Sequence, residues 1–269
     1  MAQDEYFGND DQRAVLRRGK ALAELLRDDP RFSYYGRTVG LVTPRDGSVD
    51  ELAALARVQG NSNYSAVPVA DVPALVSALE KRGLIPLHYA RWEGTDTPLT
   101  AAREVVDTLA MPQDITVHRM DASTSEAHMD SFAQMALGCG VLPLSGAAMR
   151  GMLHPSVCLY AVDSAGAVVS CAAASAFAHT AHGGFGDQAW WGMLATDPSR
   201  RGERLALILG AQVLIEMASE YGYRRFMTGV EPGNAPSEAV CTRMGLAPGD
   251  YAIIGCADPQ SLASGRMTK

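Results

Sequence analysis

No apolar run in the 269-residue chain approaches the roughly 18 residues that a bilayer-crossing helix needs, so a membrane is not among the expected partners. Positive charge is also scarce: 23 Lys and Arg against 30 Asp and Glu leave a net charge of −7, which argues against retention on nucleic acid by the overall field. The five cysteines, Cys139, Cys158, Cys171, Cys241 and Cys256, are odd in number and form no C-x-x-C pair. The acidic, polar N-terminus carries no secretory signal, so reduced thiols in a cytoplasmic protein are the expectation. In such a chain the glycosylation sequon Asn63-Tyr64-Ser65 carries no weight. His179 and His182 stand at i, i+3 without a Cys or carboxylate at matching spacing, and no metal is expected.

The composition is 47% hydrophobic and 20% charged, that of an ordinary globular protein with one large domain or two modest ones. There is no visible internal repeat, so the organisation has to be read from hydrophobic periodicity. Val15, Leu16, Ala21, Leu22, Leu25 and Leu26 fall at helical spacing within Gln12 to Leu26. Strands are expected over 39–42, 64–69 and 84–92, with helices over 49–58 and 72–81. Glu93 to Pro98 is rich in turn formers and reads as a connector or domain boundary, followed by a helix over 100–109.

From Ile115 the order reads strand 115–120, helices 125–138 and 145–153, and two strands joined at Asp163-Ser164-Ala165-Gly166. Strand 188–196, helix 203–220, strand 224–230, helix 235–243 and strand 251–257 follow, and 258–269 reads as a loose tail. This alternation implies an α/β (α+β) architecture.

Chemistry concentrates in Gly192 to Ala206. A strand ends near Thr196, a basic turn containing Pro198 follows, and an apolar helix starts near Glu203. A helix start preceded by Arg and Gly offers unpaired N–H groups, the positive dipole end and cationic side chains, which suit a phosphate or pyrophosphate.

The run Arg201-Gly202-Glu203-Arg204-Leu205-Ala206 resembles the (Arg/Gln)-x-x-Gly-x-(Gly/Ala) signature of the GNAT superfamily of acyl-CoA-dependent N-acyltransferases. The resemblance implies that the amides of this loop bind the CoA pyrophosphate and that Met193, Leu194 and Ala195 pair their backbone with the pantetheine arm. Arg204 stands where the family has its central glycine. Downstream, Asn234 to Leu246 is similar to the family's Asn-x-x-Ala-x-x-(Leu)-Tyr-x-x-x-Gly-Phe, with Asn234 on the asparagine that contacts the pantetheine or acyl end of the cofactor and Gly245 closing the helix. Cys241 takes the place of the tyrosine assigned as general acid. It reads either as a thiol proton donor or as a small buried helix residue.

The resemblance spans roughly 114–257. It implies a GNAT-like mixed, mostly antiparallel sheet with flanking helices, preceded by a smaller α/β domain over 1–110. That first unit reads as a degenerate GNAT-like half, an acceptor-recognition domain or a dimerisation surface. Acetyl-CoA is the implied co-substrate, and a small-molecule or peptide amine the implied acceptor. A base must take a proton from the amine. Candidates are Glu231, placed where the two central strands separate, Asp187, His179 and His182. Trp190 and Trp191 are adjacent on one strand, so alternation sends one ring to each face. A non-catalytic acyl-CoA-binding module is the alternative, supported by Arg204 and Cys241.

Overall fold

A computed structural model describes residues 5–262. The N-terminal half runs α1 (Asp10–Leu26), β1 (Phe32–Ser33), β2 (Gly40–Leu41), α2 (Ser48–Gln59), β3 (Asn61–Pro68), α3 (Val72–Glu80), β4 (Ile85–Thr95) and α4 (Thr97–Thr108). The C-terminal half runs β5 (Thr116–Arg119), α5 (Glu126–Gly138), α6 (Gly146–Met149), β6 (Ser156–Val162), β7 (Val168–Ala176), β8 (Gln188–Thr196), α7 (Leu205–Tyr221), β9 (Arg225–Val230), α8 (Ala235–Arg243) and β10 (Ala247–Ala257). Local chemistry marks the ends. Asn9 and Gln12 form a reciprocal capping box at the start of α1. Gly60 and Gly222, at φ 102° and 78°, close α2 and α7 in the left-handed conformation that glycine adopts without penalty.

Among the described residues, ten strands share one sheet in the order β1-β2-β3-β10-β4-β9-β8-β7-β6-β5. It is mixed and mostly antiparallel; among the described strands, only β2 with β3 and β8 with β9 run parallel. The two halves repeat one arrangement, since β2-α2-β3-α3-β4 and β8-α7-β9-α8-β10 each lead with a parallel pair. Each half then gives its last strand to the other. β10 pairs with β3 and β4, and β4 pairs with β9 and β10. The expected unit over 1–110 is therefore joined to the rest of the chain by a continuous ladder through the centre of the sheet.

That exchange accounts for a correction. Of the stretch expected as a connector at Glu93 to Pro98, Glu93, Gly94 and Thr95 instead end β4, paired with Met227, Phe226 and Arg225, and Thr97 and Pro98 start α4. Gly94 belongs there because a Cβ would meet Pro98 and the Gly245 carbonyl at under 3 Å. The helix expected over 145–153 stops at Met149, and Gly151 follows at φ 70°. Of the expected loose tail, Asp258 to Leu262 is a turn in which Leu262 N–H donates to the Asp258 carbonyl at 2.9 Å and Leu262 is 2% exposed. The other tail positions, 263–269, lie outside the described residues.

The core has three parts. α4 and α7 cover one face of the C-terminal sheet around Trp191, Phe226 and Leu214. On the opposite face α5 and α6 pack with Phe132, Tyr160 and Trp190. α2 and α3 cover β3 and β10 around Tyr64, Leu79 and Ile254. No helix of the described residues is long and apolar enough to cross a membrane.

Candidate active site

The parallel pair β8 and β9 is in register only from Gln188–Arg225 to Trp190–Met227, although β8 continues to Thr196 and β9 to Val230. Beyond that point the strands part and their facing backbone groups lose each other as partners. β8 also bulges, with a register shift against β7 between Cys171 and Ala173 and a left-handed Met193 at φ 54°. A bulge re-aims the strand next to a site; here the Cys171 thiol donates to the Met193 carbonyl at 3.1 Å. A cavity of about 820 Å³ occupies the opening and extends over the neighbouring sheet face. Met193, Leu194 and Ala195 line it, as do Arg201, Gly202, Arg204 and Ala206 of the next turn.

The turn is shaped as an anion cradle. The first α7 backbone bond that closes onto the turn runs from Ile208 N–H to the Arg204 carbonyl at 3.0 Å, so helix geometry leaves the N–H groups of Leu205, Ala206 and Leu207 without intrahelical acceptors. Gly202 has φ 89°, and a Cβ there would meet nothing within 4 Å. Of the three arginines, Arg200 is taken, bonded to both Asp114 and Glu203. Arg201 and Arg204 have no carboxylate partner among the described residues. Arg204 is exposed and holds φ 63°, a left-handed conformation that costs a non-glycine residue about 1–2 kcal/mol. These donors fit a pyrophosphate.

On the other bank, α8 begins at Asn234, whose Oδ1 accepts from Ser237 N–H at 3.3 Å. Asn234 therefore lines the cavity while capping the helix. Cys241, about two turns on, lines the cavity and is 3% exposed. Burial, with Glu238 nearby adding to it, pushes its thiol up to about 12. Glu231 follows the end of β9 and lines the same cavity. It is the one carboxylate to do so among the described residues, against Arg37, Arg201 and Arg204.

Two expected cofactor residues do not reach the cavity with their side chains. Glu203 turns its carboxylate to Arg200, and Leu205 is fully buried in the core beneath α7; each retains only its backbone for an anion. Among the base candidates, Asp187 binds Arg225 at 2.7 Å outside the cavity. His179 and His182 lie outside it too, in the loop before β8, where their Nδ1 atoms accept from Ala181 and Gly184 N–H. The paired tryptophans do split between faces. Trp191 donates from Nε1 to the Gly210 carbonyl at 3.1 Å beneath α7, while the Trp190 ring faces the cavity side. Among the described residues no cluster of three or more His, Cys, Asp or Glu side chains is placed to hold a metal.

Sequence reasoning missed the residues that the N-terminal half brings to this cavity, chiefly Tyr35, Arg37, Thr38, Asn61, Asn63 and Ser65. They carry no motif and become neighbours of β8 only through the fold. Cys139 was missed as well; its thiol donates to the Thr196 carbonyl at 3.3 Å beside Arg201, and burial raises its pKa.

Residues 128–246 match the family model described as the acetyltransferase (GNAT) family, within the 114–257 span of the resemblance. Solved structures with a similar fold include a GCN5-related N-acetyltransferase from Kribbella flavida, 15% identical, covering 94% of this chain and 98% of that one at a TM-score of 0.54. A tandem GNAT protein from the clavulanic acid biosynthesis pathway is 16% identical over 80% of this chain and 71% of its own, with a TM-score of 0.53. A GNAT-family structure from Novosphingobium aromaticivorans is 18% identical over 85% of this chain and 84% of its own, with a TM-score of 0.52. At such identities the likeness is one of fold. No curated protein matches the chain.

Proposed function

With its C-terminal part a GNAT domain, whose family and fold support acyl-CoA-dependent acetyl transfer in general, we propose that the protein acetylates a primary amine by direct attack within a ternary complex. The observation that carries this reading is the opening between β8 and β9 with two arginines that have no carboxylate partner among the described residues, and a run of helix N–H groups without intrahelical acceptors, at its mouth. Acetyl-CoA supplies the activated acetyl thioester. The cradle of Arg201, Gly202, Arg204 and the first α7 amides holds the pyrophosphate, and the freed backbone of Met193 to Ala195 pairs with the pantetheine.

Glu231 takes the proton of the attacking amine, directly or through water. Cys241 acts differently from a tyrosine acid. A thiol near 12 stays protonated, but passing its proton to a thiolate with a reference value near 8.5 is uphill. Its part is therefore to donate a hydrogen bond to the departing sulfur while water completes the protonation. Positioning and preorganised donors supply most of the acceleration.

Thiol release from acetyl-CoA, followed on addition of a panel of amines, tests the reading. Amine-dependent release, slowed about 100-fold by Glu231→Gln with CoA affinity kept, supports it. The Arg204 and Cys241 departures favour a second reading, a non-catalytic acyl-CoA sensor. CoA binding without release for any amine selects that one.

A further inference from the structure

One wall of the cavity belongs to the N-terminal half, and its chemistry differs from that of the CoA cradle. The Tyr35 ring stacks on Trp190 with centroids 4.7 Å apart, and the Arg37 guanidinium lies 5.9 Å from the centroids of both rings. Arg37 donates through one terminal nitrogen to the Leu142 carbonyl, while its buried Nε has no acceptor. No carboxylate pairs with it among the described residues. An unbonded buried N–H is costly, and this one belongs to a residue that lines the cavity. Thr38, Asn61, Asn63 and Ser65 surround it with neutral polar groups.

Among its described residues the N-terminal half has no anion cradle of its own to explain this. Its parallel pair meets at a single position, Leu41 with Tyr64. The first turn of α2 carries Asp50 and Glu51, and Glu51 binds Arg45. Acidic residues at a helix N-terminus oppose an anion there. The half that repeats the C-terminal topology has thus lost the cofactor features and turned polar residues toward the other half's cavity.

We propose that the N-terminal half forms the acceptor site, and that the acceptor is an amine carrying an oxyanion, a carboxylate or a phosphate, which Arg37 binds while the amine faces the acetyl group. The inference rests on the acetyl-transfer reading for the role of the amine, but the oxyanion site is testable without it. Arg37 supplies the planar, forked donor that such a group accepts, and the stacked rings hold that fork in place. Glu231 and Arg37 both line the cavity and are of opposite charge, as a dipolar acceptor requires.

The test is calorimetry on the full chain, with and without CoA, using amino acids and dipeptides against their carboxamides, and phosphoethanolamine against ethanolamine. Binding of one acid class at least tenfold tighter than of its neutral partner supports the proposal and says whether carboxylate or phosphate is the source. That preference falls to near one in Arg37→Gln and is partly kept in Arg37→Lys, both checked for folding by circular dichroism. Equal affinity of acid and neutral partner, or no binding of either, overturns it. So does a loss of CoA affinity in Arg37→Gln, which puts Arg37 on the cofactor. If CoA itself gives no heat while the acid-bearing amine binds through Arg37, the acetyl-transfer reading falls and the oxyanion site stands.

Discussion

The ring of Tyr35 lies on that of Trp190 at 4.7 Å and an interplanar angle of 25°, so a side chain of the N-terminal half is clamped to the strand that edges the cavity. An offset stacked pair adds about 0.5–1.5 kcal/mol beyond the area it buries. Tyr35→Ala is expected to lower unfolding free energy by about 2 kcal/mol in urea titration. It is also expected to raise the acceptor KM while CoA affinity stays within twofold.

Arg204 starts α7 at φ 63°, where glycine pays no Cβ penalty. Arg204→Gly is therefore expected to raise stability by about 1 kcal/mol by the same titration. It should weaken CoA binding only by the loss of one exposed charge, an effect that fades as salt is added. Arg204→Lys, which keeps charge and strain, is expected to change neither stability nor salt dependence.

Cys241 is held protonated by burial near 12, and the thiolate is the reactive species. At pH 8 the native thiol is expected to alkylate at least 100-fold more slowly than the same cysteine in the unfolded chain. Mass mapping of iodoacetamide-treated peptides reads this directly. Rate profiles below pH 11 should carry no ionisation from this residue, whereas Cys241→Ala should slow acetyl transfer without weakening CoA binding.

His154 gives the fold a defined acid sensitivity. Its Nε2 is 2.7 Å from Ser175 Oγ, and burial lowers its pKa from 6.5 to about 4. The native ring stays neutral while the unfolded ring binds a proton, so stability is full above about pH 6.5 and falls as the pH drops toward 4. The slope is up to about 1.4 kcal/mol per pH unit. His154→Gln should flatten urea midpoints across that window; an unchanged slope contradicts the assignment.

Much of the C-terminal site was legible because its signals are local. The strand over 188–196 and the helix over 235–243 stand where periodicity put them, and Arg201, Gly202 and Arg204 sit at the cleft because a strand, a basic turn and a helix start are contiguous in the chain. Glu203 and Leu205 belong to the same motif but point elsewhere, since a motif fixes the backbone path and not which side chain a neighbour such as Arg200 captures. The insertion of β10 between β3 and β4 was not legible: alternation marks a strand without naming its partner. For the same reason Tyr35 and Arg37, which carry no motif, meet β8 only through the fold.

The central claim, that the opening between β8 and β9 is a CoA site, is tested most directly by isothermal calorimetry of CoA into the wild-type chain and Arg201→Ala. The structure predicts one-to-one binding in the wild type and about tenfold weaker binding in the variant, through loss of a charged phosphate contact. Absence of binding to the wild type at millimolar CoA, or equal affinity in the two proteins, contradicts it.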